Sequence, residues 1–375
     1  MSPSTFPVFD VAVLGAGPAG AAAALEATRR GRTVVLFERG DEHADKPCGE
    51  GVMPSGVETL RALGLDAAVR AGRPFPGIRH RVAGAGPLSI DLDAPGVAIR
   101  RPVLAAALDA ALGDARGLVR LRASASGRPR PDGPDGGAFE IDAGPAGHFF
   151  ARTLIACDGS GGRGAAWLQD VRRRGRPSQR FGVRARCRTG APLDRVEVHM
   201  GRGCEIYLTP LPDDLVNVAL LVERAPEGVA GAVALLAWGL ARHPDAQVHL
   251  GAVVTPPGAR ALDGRRPRRA SEAGAFLAGD AAGAVDPIVG CGVTIALRTG
   301  VAAARGADAL LGGASPADVD RAYAATVRRE RAARHALASL LRLGDAHPHL
   351  ARSFVAVLRR APRAARTLAR IAAGR

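Results

Sequence analysis

The sequence predicts an α/β fold: a parallel βαβ sheet, an inserted antiparallel sheet and a helical C-terminus. Three stretches predict it. Residues 9–40, FDVAVLGAGPAGAAAALEATRRGRTVVLFERG, read as strand, glycine turn, helix and strand. TLIACDGSG (153–161) is a short apolar strand ending at Asp158-Gly159. GAFLAGDAAGAVDPIVGCGVTIALRTG (274–300) is another, ending at Gly279-Asp280 before a proline turn and an apolar helix.

In the first stretch, the apolar run Val11 to Leu14 suits a strand buried on both faces. Gly15, Gly17 and Gly20 follow in GxGxxG spacing, then an alanine-rich helix ending near Gly31 and a second buried strand, Val34 to Phe37, closed by Glu38. The first glycine makes the tight turn, the second lets backbone approach a pyrophosphate, and the third lets helix and strand pack closely. The helix start, with Pro18 and Ala19, offers unpaired N–H groups to phosphate. Glu38, beside Arg39, can accept from a ribose 2′-OH and would repel a 2′-phosphate. These residues predict dinucleotide binding without choosing between FAD and NAD.

Composition narrows the class. In 375 residues, 47% are hydrophobic, enough for a substantial core. The net charge of +15 is almost all arginine, Lys46 being the only lysine. Nucleic-acid binders interleave basic and stacking aromatic residues, whereas only 4% of this chain is aromatic and no arginine run contains such a pattern; no nucleic-acid partner is expected. The five cysteines are scattered without CxxC spacing, so neither a metal site nor a redox dithiol is expected. No signal peptide or membrane-spanning apolar stretch is read, and a cytoplasmic protein is expected.

The order of motifs (GxGxxG, a DG strand, then a GD strand–turn–helix) resembles the flavoproteins that include p-hydroxybenzoate hydroxylase, the flavin-dependent halogenases and geranylgeranyl reductase. The resemblance implies a Rossmann-like FAD-binding domain of the glutathione-reductase type, formed by residues 1–180 with 265–312. It further implies a β-sheet substrate domain at 181–264 and a helical segment at 313–375. It implies FAD as cofactor, with NAD(P)H as electron donor. Asp280, after Gly279, would bond the ribityl chain. The helix opening near Gly290, Gly292 and Val293 would point its N-terminus at the flavin's pyrimidine edge. Asp158 and Gly159 would lie near FAD and the nicotinamide's route. Arg101, before the helical leucines Leu104 and Leu108, would contact FAD.

The chain also departs from parts of the group. Gly283 follows GDAA where hydroxylases carry histidine, and this GDAAGxxDP pattern resembles the reductase and halogenase branches. The halogenases' distant lysine and WxWxIP segment are missing.

DKPCGEGVMPSG (45–56) resembles the K/R-P-C-G of the reductase-like members. Its prolines stiffen the segment and its glycines admit close backbone approach, as a loop laid beside the flavin ring requires. Cys48 and Gly49 are therefore cofactor-lining candidates. An active thiolate at Cys48 is the alternative. Lys46 is either a phosphate contact or a surface lysine. Downstream, FGVRARCRT, RVEVHM, EIYLTPLP and LVNVALLVE read as strands, followed by a helix over 228–242. Tyr207 is either a substrate-facing hydroxyl or a solvated strand tyrosine. The arginine-rich helices beyond 315 either cap the substrate sheet or make peripheral membrane contact.

The function expected is an FAD-dependent, NAD(P)H-driven monooxygenase hydroxylating a lipophilic aromatic or polyketide-like small molecule. The alternative is a geranylgeranyl-reductase-like flavoprotein reducing alkene bonds of a prenyl or lipid substrate. No residue is assigned as the catalyst; Cys48 and Tyr207 are the candidates lining the flavin.

Overall fold

The computed structural model describes residues 7–40, 45–82, 84–136, 138–168, 180–201, 203–261 and 267–374. The domain boundary expected at 264–265 lies outside them.

The chain begins β1 (Val8–Leu14), α1 (Pro18–Arg29), β2 (Val34–Phe37), β3 (Gly51–Val52), α2 (Pro54–Ala62), α3 (Asp66–Arg70), β4 (Arg73–Val82) and β5 (Leu88–Ala98). It continues α4 (Arg101–Gly113), β6 (Leu118–Leu121), β7 (Ser126–Pro129), β8 (Phe139–Asp142) and β9 (His148–Ala156). Next come β10 (Phe181–Thr189), β11 (Val196–Met200), β12 (Cys204–Pro210), β13 (Leu215–Val222), α5 (Gly231–Arg242), α6 (Pro244–Gln247) and β14 (Leu250–Ala261). The last part holds β15 (Ser271–Glu272), β16 (Ala275–Leu277), α7 (Gly292–Leu311), α8 (Pro316–Ala346), α9 (Pro348–Arg360) and α10 (Pro362–Ala373).

The first sheet runs β15-β16-β9-β1-β2-β6, with β7 and β8 attached through β9. Its centre is parallel: Val11 pairs with Val34 on β2 and Thr153 on β9, and Ala275 with Leu154. The apolar runs of β1 and β2 are buried because helices cover the sheet. Alanine-rich α1 buries nine consecutive residues from Ala19 to Ala27, which brings it close to both sheet and α7. Strands β1, β9 and β16 thereby end side by side, where open α/β sheets bind ligands.

The second sheet runs β14-β10-β13-β12-β11-β4-β5-β3. It is antiparallel except where β4 meets β11, with Ile78 opposite Val196. One face packs on α5 through Ile206, Leu208, Val218, Leu235 and Leu236. The other gathers Val82, Ile90, Val198 and Met200 with Leu337, Val355, Leu358 and Ala372 of the C-terminal helices. Those helices each open on a proline (Pro316, Pro348, Pro362), whose missing N–H costs nothing in a first turn. They cap the second sheet, although Leu340, Leu343, Leu350 and Val357 are exposed. Among the described residues no helix is long and apolar enough to cross a membrane.

Candidate functional site

A cavity of about 2680 Å³ lies where the parallel strands end, beneath the second sheet and the C-terminal helices. Gly15, Gly17, Pro18, Ala19, Glu38, Arg39, Cys48, Gly49, Arg101, Asp158, Gly159, Tyr207, Gly279, Asp280, Gly290, Gly292 and Val293 all line it. Gly20 does not. It packs inward, where an added Cβ would fall 1.7 Å from the Gly15 carbonyl oxygen.

The glycine turn is held by the acid at the end of β2. The Ala16 N–H donates to Glu38 Oε2 at 2.7 Å, and Gly40 N–H to Oε1 at 3.0 Å. Glu38 thus fixes the turn, with each of its carboxylate oxygens accepting from a backbone N–H. Asp158 folds its own loop, accepting from Gly164 N–H at 2.6 Å.

The residues present fit FAD. At Gly17 an added Cβ would meet nothing within 4 Å, leaving open space at the start of α1 for a pyrophosphate. Arg101 is buried, yet its Nη1 has no hydrogen-bond partner. That guanidinium, on the cavity wall, is poised to donate to an acceptor on the cofactor.

The 45–52 loop is pinned to the second sheet from several sides. Asn217 Nδ2 donates to the Cys48 carbonyl at 3.2 Å, and Thr209 Oγ1 to the Gly49 carbonyl at 2.9 Å. Glu50 takes a left-handed backbone, φ 59°, unusual for a residue with a side chain. Its buried carboxylate accepts from the Arg101 N–H at 2.7 Å and from Arg186 Nε at 3.0 Å. Arg186 also grips Asp45 with both terminal nitrogens, at 2.8 and 2.9 Å. Burial would raise the Asp45 carboxyl, but hydrogen bonds from Arg186 and Arg184 hold it below the usual carboxylate range.

Cys48 behaves as a lining residue. Burial pushes its thiol up, outweighing the Glu50 N–H that donates to Sγ at 3.3 Å. Tyr207 is buried rather than solvated, and its hydroxyl donates to the Ile288 carbonyl at 3.0 Å. Ile288 lies in the turn before α7, which Asp286 shapes by accepting from Ile288 N–H at 3.0 Å. Buried Arg180 joins Asp286 to Glu205 of β12.

Sequence reasoning missed Asp45, Glu50, Arg180, Arg184, Arg186 and Asp286 as site-building residues. The signal available was the acid between two glycines in CGEG, with arginines two apart in FGVRARCRT.

Residues 8–176 match the family described as FAD binding domain. Over that stretch the chain is similar to the FAD-binding domains of FAD-dependent oxidoreductases. A menaquinone reductase from Mycobacterium tuberculosis is 52% identical over 56 residues, 15% of this chain and 14% of that protein. The match therefore spans only a small part of that relative's length. Digeranylgeranylglycerophospholipid reductase 1 of Methanothermobacter thermautotrophicus is 28% identical over 315 residues, 78% of this chain and 75% of that one. A flavoprotein/dehydrogenase from Cytophaga hutchinsonii superposes with a TM-score of 0.80 at 18% identity, covering 98% and 93% of the two chains. At that identity the superposition speaks to fold alone.

Three outcomes are expected. Gly17→Val should fold but lose FAD, read as colourless protein with an unchanged circular dichroism spectrum; bound flavin would refute the pyrophosphate position. Arg186→Met leaves the Glu50 carboxylate buried beside no guanidinium, so unfolding free energy should fall by about 3–5 kcal/mol. A loss below roughly 1 kcal/mol would show the pair to be dispensable. Cys48 should alkylate slowly at neutral pH, because a raised pKa leaves little thiolate, and more slowly still with FAD bound. Fast labelling of the holoprotein would restore the active-thiolate alternative.

Proposed function

We propose that the chain reduces carbon–carbon double bonds in a long isoprenoid-like lipid, with NAD(P)H as the electron donor to its FAD. The observation that carries this is the cavity wall beyond the cofactor loops. It is built from Phe75, Ile78, Leu88, Ile90, Leu92, Val196, Val198 and Met200 of the sheet. Leu337, Leu341, Phe354, Leu358 and Leu368 of the helices complete it. Burying a lipid chain there gains about 0.8 kcal/mol per methylene.

Three polar side chains of the sheet near the loop donate to backbone carbonyls. Thr209 donates to Gly49, Asn217 to Cys48 and Tyr207 to Ile288. A phenolic substrate activated for hydroxylation needs a base near the flavin to take its proton. Beside the loop the Thr209, Tyr207 and Asn217 donors all go to backbone carbonyls, and the unpartnered Asn217 Oδ1 is an amide oxygen, not a base. An isolated alkene needs only to be placed and kept dry.

When bound, FAD supplies the two-electron chemistry. The chain's part is positional. The backbone at Cys48 and Gly49 is fixed by Asn217 and Thr209, the aliphatic walls exclude water, and Cys48 Sγ keeps its proton at neutral pH. The similarity to a reductase of prenyl lipids over most of the chain supports the same reading.

A lipid would enter at the α8–α9 corner, where Leu340, Leu343 and Leu350 both line the cavity and are exposed. The exposed arginines Arg359, Arg360, Arg363 and Arg366 nearby in sequence suit an anionic membrane surface.

Monooxygenation of a lipophilic aromatic or polyketide-like molecule is the second reading. It is favoured by the hydrogen bonds that draw the sheet down over the flavin loop, enclosing the space beside it. Anaerobic single turnover separates the two. Pre-reduced holoprotein should be reoxidised by a polyprenyl lipid, giving a product with two more hydrogens. Substrate conversion only with oxygen, with an oxygen atom added to the product, would overturn the reductase reading.

A further inference from the structure

Side chains on β4 alternate between two environments. Arg79 and Arg81 turn to one face, where they donate to Glu197 of β11 at 2.7 and 2.6 Å. Ile78, His80 and Val82 share the opposite face, and all three line the cavity. His80 is paired with Leu88 on β5 and Val198 on β11, and Val198 with Tyr207 on β12. Leu88, His80, Val198 and Tyr207 therefore form one row across four strands on the cavity face. His80 stands two strand spacings from Tyr207, roughly 10 Å.

Its strand neighbours on that face are apolar: Ile78, Val82, Leu88, Ile90, Val196 and Val198. Among the described residues, no hydrogen bond or ion pair reaches its imidazole. Burial lowers its pKa to about 4, so the ring is neutral at physiological pH. A neutral imidazole offers one N–H donor and one nitrogen acceptor. The ring is half-buried on the cavity wall, so a substrate that displaces water from it must offer a hydrogen bond in exchange or leave a polar nitrogen unmet. None of these six wall residues is a cation that would help bury an anionic group beside the ring.

Resting on the lipid-reductase reading, we propose that His80 is a specificity-determining residue that recognises a neutral oxygen of the substrate. A hydroxyl, ether or carbonyl group would bond it, roughly 10 Å from the Tyr207 position where the sheet meets the turn before α7. The remaining wall then selects for chain and the imidazole for where the oxygen sits along it. Without His80 the cavity would bind any hydrocarbon of fitting length in any register.

Titration of the oxidised holoprotein tests this without turnover. The probes are geranylgeraniol and its matched hydrocarbon lacking the hydroxyl, with Kd read from the flavin absorbance change. The wild type should prefer the alcohol by roughly three- to tenfold, the scale of one neutral hydrogen bond. His80→Leu should abolish the preference while keeping FAD content and Tm. His80→Gln, which retains a donor and an acceptor, should keep part of it. If the leucine variant does not fold, His80→Phe makes the same comparison. An unchanged preference in either apolar variant overturns the proposal, as does equal binding of both probes by the wild type. Failure of the wild type to bind either probe would instead sink the lipid reading of the cavity, and this proposal with it.

Discussion

The site depends on Arg186 and the two carboxylates it holds. Asp45 and Glu50 flank the loop at the cavity wall, and one guanidinium on β10 reaches both. Burying charges is expensive unless they are paired with good geometry, and this geometry is forked on both sides. The arrangement also sustains Glu50 in a left-handed conformation that costs an ordinary residue of order 1–3 kcal/mol. That turn aims the Glu50 carboxylate at the first N–H of α4 while its carbonyl accepts from Ile99 at 2.8 Å. One buried pair thus fixes the loop, the start of α4 and the second sheet in a common frame.

Everything else in the cavity is organised around that frame. The parallel sheet brings the ends of β1, β9 and β16 together by backbone pairing alone. Nothing in that sheet specifies where the second sheet should sit above them. The loop does, because Asn217 and Thr209 on adjacent antiparallel strands bond consecutive carbonyls within it. A second ionic joint, Arg180 with Asp286 and Glu205, ties the opposite side of the same sheet to the turn before α7. The two joints tie β10 and its neighbours to the 45–52 loop and to the turn before α7. The apolar wall between them is left to contact substrate.

Legibility followed the range of the interaction. The turn of Gly15, Gly17 and Gly20, its flanking strands and Glu38 were readable because they act on near neighbours in the chain. The period-2 strands and the long C-terminal helices were equally open to reading. The joining of β4 to β11 was not, since it pairs segments about 120 residues apart with no local mark. Tyr207 was singled out as a substrate-facing or solvated hydroxyl, yet its hydroxyl bonds a carbonyl 81 residues away, which no strand pattern encodes. His80 stands between two arginines in a stretch that carries no motif, and nothing is read there. Only Glu197 on the neighbouring strand, drawing both arginines to one face, turns that histidine to the other.

The arginine excess also takes on a different meaning in three dimensions. From composition it reads as a bias of codon usage spread over solvated surface. Yet Arg101, Arg180, Arg184, Arg186 and Arg334 are all buried. Arg334 and Arg298 clamp buried Glu330, locking α8 onto α7. Lysine could not serve at such points, because an ammonium is a compact, strongly hydrated charge and cannot bridge two carboxylates with a rigid fork. A chain whose basic residues are arginine at all but one position also supplies this fold with more forks than it needs. The ones that matter are those that meet an acid in the interior, and the acids reveal them better than the arginines do.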